Sequence, residues 1–306
     1  MSVVVADDVH ETYGDTVALD GISLAVDAGE VFALVGPNGA GKTTLTRCLT
    51  GTRRPDSGSV SLMGDPPAES ARERLGLLPQ DFDPPERLTP GELVSYYAGL
   101  YEGARDPDTL LDEVGIDPRT DTWYTDLSGG EKRRTCVAAS LVNDPDVLFL
   151  DEPTTGVDPA GRQALWTLFE DLAAGGTTIF LTTHYMAEAE RLADRVGLLA
   201  DGALVASGSP DELVAEYGGA PSLDVETDAV PADFEESRYT PERADGALVF
   251  EGVDPTEIGD VASAFAERGL DFESLSWSEP DLEDVYLALA GDRVDVVEET
   301  EEEVVA

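Results

Sequence analysis

The run Gly36-Pro37-Asn38-Gly39-Ala40-Gly41-Lys42-Thr43-Thr44 fits the pattern G-x-x-x-x-G-K-[ST] in its first eight residues. Glycines at this spacing let a backbone wrap closely around phosphate with its N–H groups turned inward. A helix beginning at the lysine adds a dipole that favours negative charge. Lys42 is placed to reach β- and γ-phosphates, and the Thr43 hydroxyl to ligate Mg2+. The chain has only two lysines, Lys42 and Lys132, so an amine at this position is not a by-product of composition. The run reads as a nucleoside-triphosphate site. A second element is Val147-Leu148-Phe149-Leu150-Asp151-Glu152, an apolar stretch that delivers two carboxylates at its end. In an open parallel sheet, ligands bind at the carboxyl ends of the strands. Asp151 there suits the Mg2+ side of a phosphate site, and Glu152 suits positioning or deprotonating the attacking water.

Two further features have an ordinary reading beside the chemical one. Leu127-Ser128-Gly129-Gly130-Glu131 puts a serine and two glycines at the start of a helix, which suits phosphate but also suits a plain capped turn. His184 is one of two histidines and follows the apolar run Thr178–Thr183. A lone histidine is more often structural than catalytic, yet this one falls where the other site residues gather.

These residues need a scaffold, and the hydropathy pattern supplies one. Residues 3–35 read as short strands (VVVADDV, GISLAV, EVFALVG), and a helix runs from about Lys42 to Thr50 with Leu45, Cys48 and Leu49 at helical spacing. Residues 81–140 open with Pro84, Pro85 and Pro90 and continue as helices. The strand ending at Leu150 is followed by a helix faced by Leu165, Leu168, Phe169 and Leu172, then by the strand TTIFLTT. Strands alternating with helices imply a mostly parallel sheet covered on both sides, an α/β class. The pattern restarts after about Tyr217, across the turn-rich stretch Gly218–Pro221. Strands SLDVET, ALVFEG and FESLSW and two helices, one with Ile258, Val261 and Phe265 and one with Leu282, Val285, Tyr286 and Leu289, read as a small α+β domain. The expected layout is therefore 1–217, with a helical subdomain at about 81–140, then 221–292, then an acidic tail at 293–306.

Composition sets further bounds. Sixty-four acids against 19 bases give a formal charge of −45. Such a surface repels nucleic acid and anionic lipid, so no nucleic-acid partner is expected. Excess acid spread along the whole chain with almost no lysine reads as adaptation to a salty cytoplasm, where self-repulsion is screened. Cys48 and Cys136 fall in apolar helical stretches and read as buried thiols. The N-terminal MSVVVADDVHETYG lacks a basic region followed by an apolar core, so no signal peptide is expected. The longest uncharged run, Leu172–Ala187, is too short and too polar to span a bilayer.

The order of the three motifs, with LSGGE between the lysine loop and the Asp151–Glu152 pair, resembles the ATP-binding subunits of ABC transporters over residues 3–215. That resemblance implies a P-loop NTPase (RecA-like) core, ATP and Mg2+ as cofactors, and ATP hydrolysis with Glu152 and His184 in catalytic roles. It implies that Tyr13 stacks on adenine, that Gln80 senses Mg2+ and the membrane subunit, and that His184 contacts the γ-phosphate. Thr43, Gln80 and Asp151 become the metal-side residues, and Asp158 lies in the loop crossing a dimer interface. It further implies two such chains, identical or sibling, sandwiching two ATPs, each site pairing one Lys42 loop with the other chain's Ser128–Gly130. The partner is then a separate membrane permease, with this chain peripheral on the cytoplasmic face. Glu131 departs from the glutamine commonest there; no change in mechanism is expected from it. The stretch Glu279–Leu289, with TTHYMAEAERLADRV and SGSPDEL, is similar to the daunorubicin-resistance and multidrug export branch. Alternatives are a soluble ABC ATPase in translation or DNA maintenance, and the ATPase of an import system.

Overall fold

The computed structural model describes residues 1–69, 72–82, 84–234, 238–244 and 246–290. The acidic tail expected at 293–306 lies outside these residues. The chain divides into two compact units, Met1–Pro210 and the part from Asp211 on.

The first unit opens with two long strands, β1 (Ser2–Tyr13) and β2 (Thr16–Asp27), joined by a tight turn at Gly14-Asp15 and paired antiparallel. β3 (Val31–Val35) follows, then α1 (Lys42–Leu49) and β4 (Ser57–Leu62), which pairs with the far side of β1. β5 (Leu75–Leu78) leads into a helical region of α2 (Pro90–Ala98), α3 (Pro107–Glu113) and α4 (Gly129–Ser140). Next come β6 (Val147–Asp151), α5 (Pro159–Ala174), β7 (Thr178–Thr183), α6 (Met186–Leu192), β8 (Arg195–Ala200) and β9 (Ala203–Gly208).

Two sheets result. β2-β1-β4 is antiparallel, and β5-β6-β7-β3-β8-β9 is parallel except for the last strand. Every residue of β3, β6 and β7 is buried, as continuous apolar runs require when helices cover both faces. Phe32 stacks on Phe180 with centroids 5.6 Å apart, and Phe149 joins them at 5.3 Å. Each such wholly buried ring contributes about 1.5–3 kcal/mol relative to exposure. The strand order brings four loops together: those leaving the carboxyl ends of β5, β6, β7 and β3 emerge side by side along one edge.

The second unit begins in α7 (Pro210–Tyr217) and contains β10 (Ser222–Glu226), β11 (Glu242–Ala244), β12 (Ala247–Glu251), α8 (Ile258–Arg268) and β13 (Ser274–Ser278). A further helix covers residues 282–290. Its sheet is antiparallel in the order β11-β12-β10-β13, and Phe234, Phe250 and Phe265 form the centre of its core. The short strand β11 carries the sequence ERA, with every residue exposed, so it has no hydrophobic alternation by which to recognise it. Among the described residues no helix is long and apolar enough to cross a membrane. Cys48 and Cys136 are both free thiols and buried.

Candidate ATP site

The glycine-rich run leaves β3 and returns as α1, and its glycines are required by space as well as by backbone angle. A Cβ on Gly36 would lie 2.3 Å from the Leu199 carbonyl oxygen; one on Gly41, which sits at φ 108°, would lie 2.4 Å from that of Ala18. No side chain fits at either place. Lys42 is 5% exposed, and its ammonium donates to the carbonyls of Gly36 (2.7 Å) and Pro37 (3.0 Å). Burial pushes its pKa down; the carboxylates of Glu152 and Asp151 oppose that shift.

Glu152 follows β6 at a φ of 50°, a left-handed conformation that a β-strand end does not favour for a residue with a side chain. Its backbone N–H donates to the Thr182 carbonyl at 3.0 Å, so the neighbouring strand β7 holds the turn. Four groups surround the carboxylate. Lys42 Nζ lies 3.7 Å from Oε1 and His184 Nδ1 3.3 Å from it; Gln80 Nε2 (3.4 Å) and the Thr155 hydroxyl (3.3 Å) donate to Oε2. The Thr43 hydroxyl donates to Gln80 Oε1 at 3.3 Å, while Asp151, nearly fully buried, accepts from the Thr182 hydroxyl. Strand order alone explains the meeting: Gln80 follows β5, Asp151–Glu152 end β6, His184 follows β7 and Lys42 follows β3.

The cleft at this edge encloses about 380 Å3 and is lined by Tyr13, Thr16–Ala18, Asn38, Gly39, Gly41–Thr44, Gln80 and Glu152. Pro37 and Ala40 complete the loop, Ala40 buried and donating its N–H to the Pro37 carbonyl at 3.3 Å. A larger hollow of about 720 Å3 lies in the second unit, and none of these motif residues is in its lining.

Ser128, Gly129, Gly130 and Asp158 do not line the cleft. They form a separate cluster. Ser128 caps α4 in a reciprocal box with Glu131: its hydroxyl donates to Oε2 at 2.7 Å and accepts the Glu131 N–H at 3.3 Å. Added Cβ atoms on Gly129 and Gly130 would come 3.7 Å from the Gly156 carbonyl oxygen and 3.6 Å from Asp158 Oδ2. Asp158 caps α5 through the N–H groups of Ala160 and Gly161, chiefly the latter holding its carboxyl below the usual carboxylate range.

Several contributors are not evident from the sequence. Arg133, in the second turn of α4, donates to the carbonyls of Pro79 (3.0 Å), Gln80 (3.4 Å), Glu152 (2.9 Å), Pro153 (3.2 Å) and Asp151. One guanidinium thus ties the serine-glycine helix to both the Gln80 loop and the Glu152 turn. The run Lys132-Arg133-Arg134, three bases together in a chain this acidic, is the available signal. Glu188, on α6, is wholly buried and accepts from the Thr154 hydroxyl (2.8 Å) and Trp166 Nε1 (2.9 Å), joining the segment after His184 to the segment after Glu152. No sequence signal marks it.

The arrangement has the space and the donors to take a triphosphate, with a carboxylate at its edge that could order water. Comparison with known proteins agrees. Residues 19–155 match the family model described as ABC transporter. A daunorubicin resistance ATP-binding protein of Streptomyces coeruleorubidus is 38% identical over 95% of this chain and 96% of its own length. This chain belongs to the ABC transporter ATP-binding family. The ABC ATPase is also 42% identical to a Nod factor export ATP-binding protein of Burkholderia orbicola, over 74% of this chain and 77% of that one. Among solved structures it resembles cbiO1 of Clostridium perfringens, part of the ABC transporter complex cbiONQ. The TM-score is 0.60 and the identity 31%, over 70% of this chain and 91% of that one. The expectations of a P-loop ATPase fold, ATP binding and ATP hydrolysis hold for this ABC ATPase.

Proposed function

We propose that this ABC ATPase powers export through a separate membrane permease, working as a dimer that closes around two Mg-ATP. The observation that carries the dimer is the separation of its motifs. Lys42, Gln80 and Glu152 share one cleft, whereas Ser128–Gly130, at the capped start of α4, are absent from that cleft's lining. A second chain, identical or sibling, would bring them to it.

The residues present fit Mg2+: the Thr43 hydroxyl and Gln80 amide oxygen are 3.3 Å apart, and every donor is an oxygen. Thr43, Gln80 and Asp151 would hold the ion, which when bound neutralises charge on the phosphates. The backbone of Gly36–Gly41 cradles the phosphates, Lys42 exchanges its loop carbonyls for phosphate oxygens, and Tyr13 stacks on the base. Glu152 orders the attacking water, released from its ion pair once Lys42 turns to phosphate. His184, 3.3 Å from that carboxylate, is positioned for the γ-phosphate.

Domain roles follow the same reading: 1–217 is the ATPase domain, 81–140 the helical subdomain that meets the permease, and 221–292 a small additional domain. Support for export comes from the names of the two relatives, one of which matches nearly the whole chain. The permease would hold this ABC ATPase on the inner face of the membrane. A tagged Glu152→Gln protein, pulled down from membranes solubilised at high salt, tests this. A polytopic protein in stoichiometric amount supports transport; ribosomes or soluble partners alone would leave the ATPase and sink the permease.

A further inference from the structure

Glu11 has no part in ATP binding or hydrolysis as assigned to the cleft, yet its side chain is wholly buried near the end of β1. A carboxylate taken out of water needs a charged or hydrogen-bonding partner. Here the partner is Arg53, whose Nε and Nη2 both contact Glu11 Oε1. The other oxygen, Oε2, accepts the backbone N–H of Asp56 at 3.1 Å. Asp56 in turn accepts the backbone N–H and hydroxyl of Thr12 at 2.8 and 2.7 Å. The segment immediately before Tyr13 is therefore fixed to the chain at 53–56 by both charge and backbone.

The same guanidinium does a second thing. Its central carbon lies 4.1 Å from the centroid of the Tyr13 ring. At that distance a guanidinium is attracted to the ring face, most strongly where water is partly excluded. Arg53 is about one-third exposed and Tyr13 41% exposed, so the stack sits at the rim, with Tyr13 also lining the nucleotide cleft. An aromatic ring has two faces, and Arg53 covers one.

We propose that Arg53 is a positioning residue for the nucleobase: anchored by Glu11, it clamps one face of Tyr13 and leaves the other presented to the purine. The proposal rests on Tyr13 being the base-stacking residue. An unclamped exposed tyrosine would have to be immobilised as the base arrives, at a cost to affinity. Clamped beforehand, it loses nothing further on binding. The effect reaches only ligands that carry a base, because pyrophosphate held by the Gly36–Thr44 loop does not touch the ring.

That difference is the test. Calorimetry in molar KCl compares ADP with inorganic pyrophosphate on the full chain. Arg53→Met alone strands a buried carboxylate, so the Glu11→Gln/Arg53→Met double variant is measured beside it, with Tyr13→Ala as reference. The expected result for the double variant is an ADP Kd raised about three- to tenfold with pyrophosphate unchanged. For ATP turnover, KM rises and kcat stays. Arg53→Lys, lacking the planar fork, recovers only part. If Tyr13→Ala weakens ADP and the double variant does not, the clamp is wrong and the stacking role of Tyr13 stands. If Tyr13→Ala leaves ADP binding unchanged, the stacking role falls and the clamp with it. Parallel loss of ADP and pyrophosphate would make Arg53 a structural residue only and overturn the proposal.

Discussion

Arg133→Met should damage stability and turnover together, because one side chain satisfies carbonyls on two separate strand-end loops. Its guanidinium donates to Pro79 and Gln80 on one side and to Asp151, Glu152 and Pro153 on the other. Burial is strong enough to push its pKa down, with Cys136, Asp151, Tyr124 and Glu152 opposing. A hydrogen bond to a charged group is worth about 1.5–3 kcal/mol net. Five at full value would overshoot, since the residue is only half-buried and water can replace part of the set. A net loss of about 2–4 kcal/mol is the reasonable sum. In a unit of this size it lowers Tm by roughly 5–15 °C. Freeing the Gln80 and Glu152 backbones also misplaces the groups proposed to hold the ion and to order water, and a displacement near 1 Å costs about a hundredfold in rate. The assays are thermal unfolding by circular dichroism in molar KCl, and steady-state ATP hydrolysis well below both midpoints. Arg133→Lys should recover less than half, because one ammonium cannot span both loops. An Arg133→Met protein with Tm within about 2 °C of the parent and unchanged kcat would refute the reasoning.

Glu152→Gln keeps the shape of the site but removes the carboxylate proposed to position or deprotonate the attacking water, so kcat should fall about 10²–10⁴-fold while ATP still binds; Lys42→Ala should abolish nucleotide binding or turnover, checked by equilibrium binding of ADP. Asp158→Ala removes the cap of α5 and should lower the denaturation midpoint, read from denaturant unfolding. Raising KCl from 0.1 to 1 M shortens the Debye length from about 10 to 3 Å and should raise Tm, given the charge of −45. At that salt, acid should destabilise. Asp106, Glu131, Asp158 and Asp254 all have carboxyls held below their usual range, chiefly by hydrogen bonds to Thr109, Ser128, Gly161 and Thr256. The unfolded chain therefore binds more protons, and their stabilisation is present above about pH 4 and lost as pH falls through the lowered values. A Tm in molar KCl that does not fall from pH 6 to pH 3 would contradict this.

The parts legible in the sequence are those that are contiguous. The Gly36–Thr44 loop, the strand ending in Asp151 and the fully buried run Thr178–Thr183 each carry their environment in their own spelling. So do β10, β12 and the helix faced by Val261 and Phe265. β1 and β2 are harder. Each runs for 12 residues with register shifts, and the bulges interrupt the period-2 alternation that marks a strand. Arg133, Glu188 and the Glu11–Arg53 pair are not legible, because their meaning lies in partners 18 to 54 residues away in sequence. A charge in the sequence reads as a solvated side chain unless something shows the carbonyls or carboxylate it meets.

The central claim is that one chain holds only half of each complete ATP site. Light scattering on purified Glu152→Gln in molar KCl tests it most directly, with and without Mg-ATP. A mass near that of one 32.5 kDa chain, doubling on addition of Mg-ATP, is the predicted result. A protein that binds Mg-ATP to saturation and keeps the mass of a single chain would contradict it.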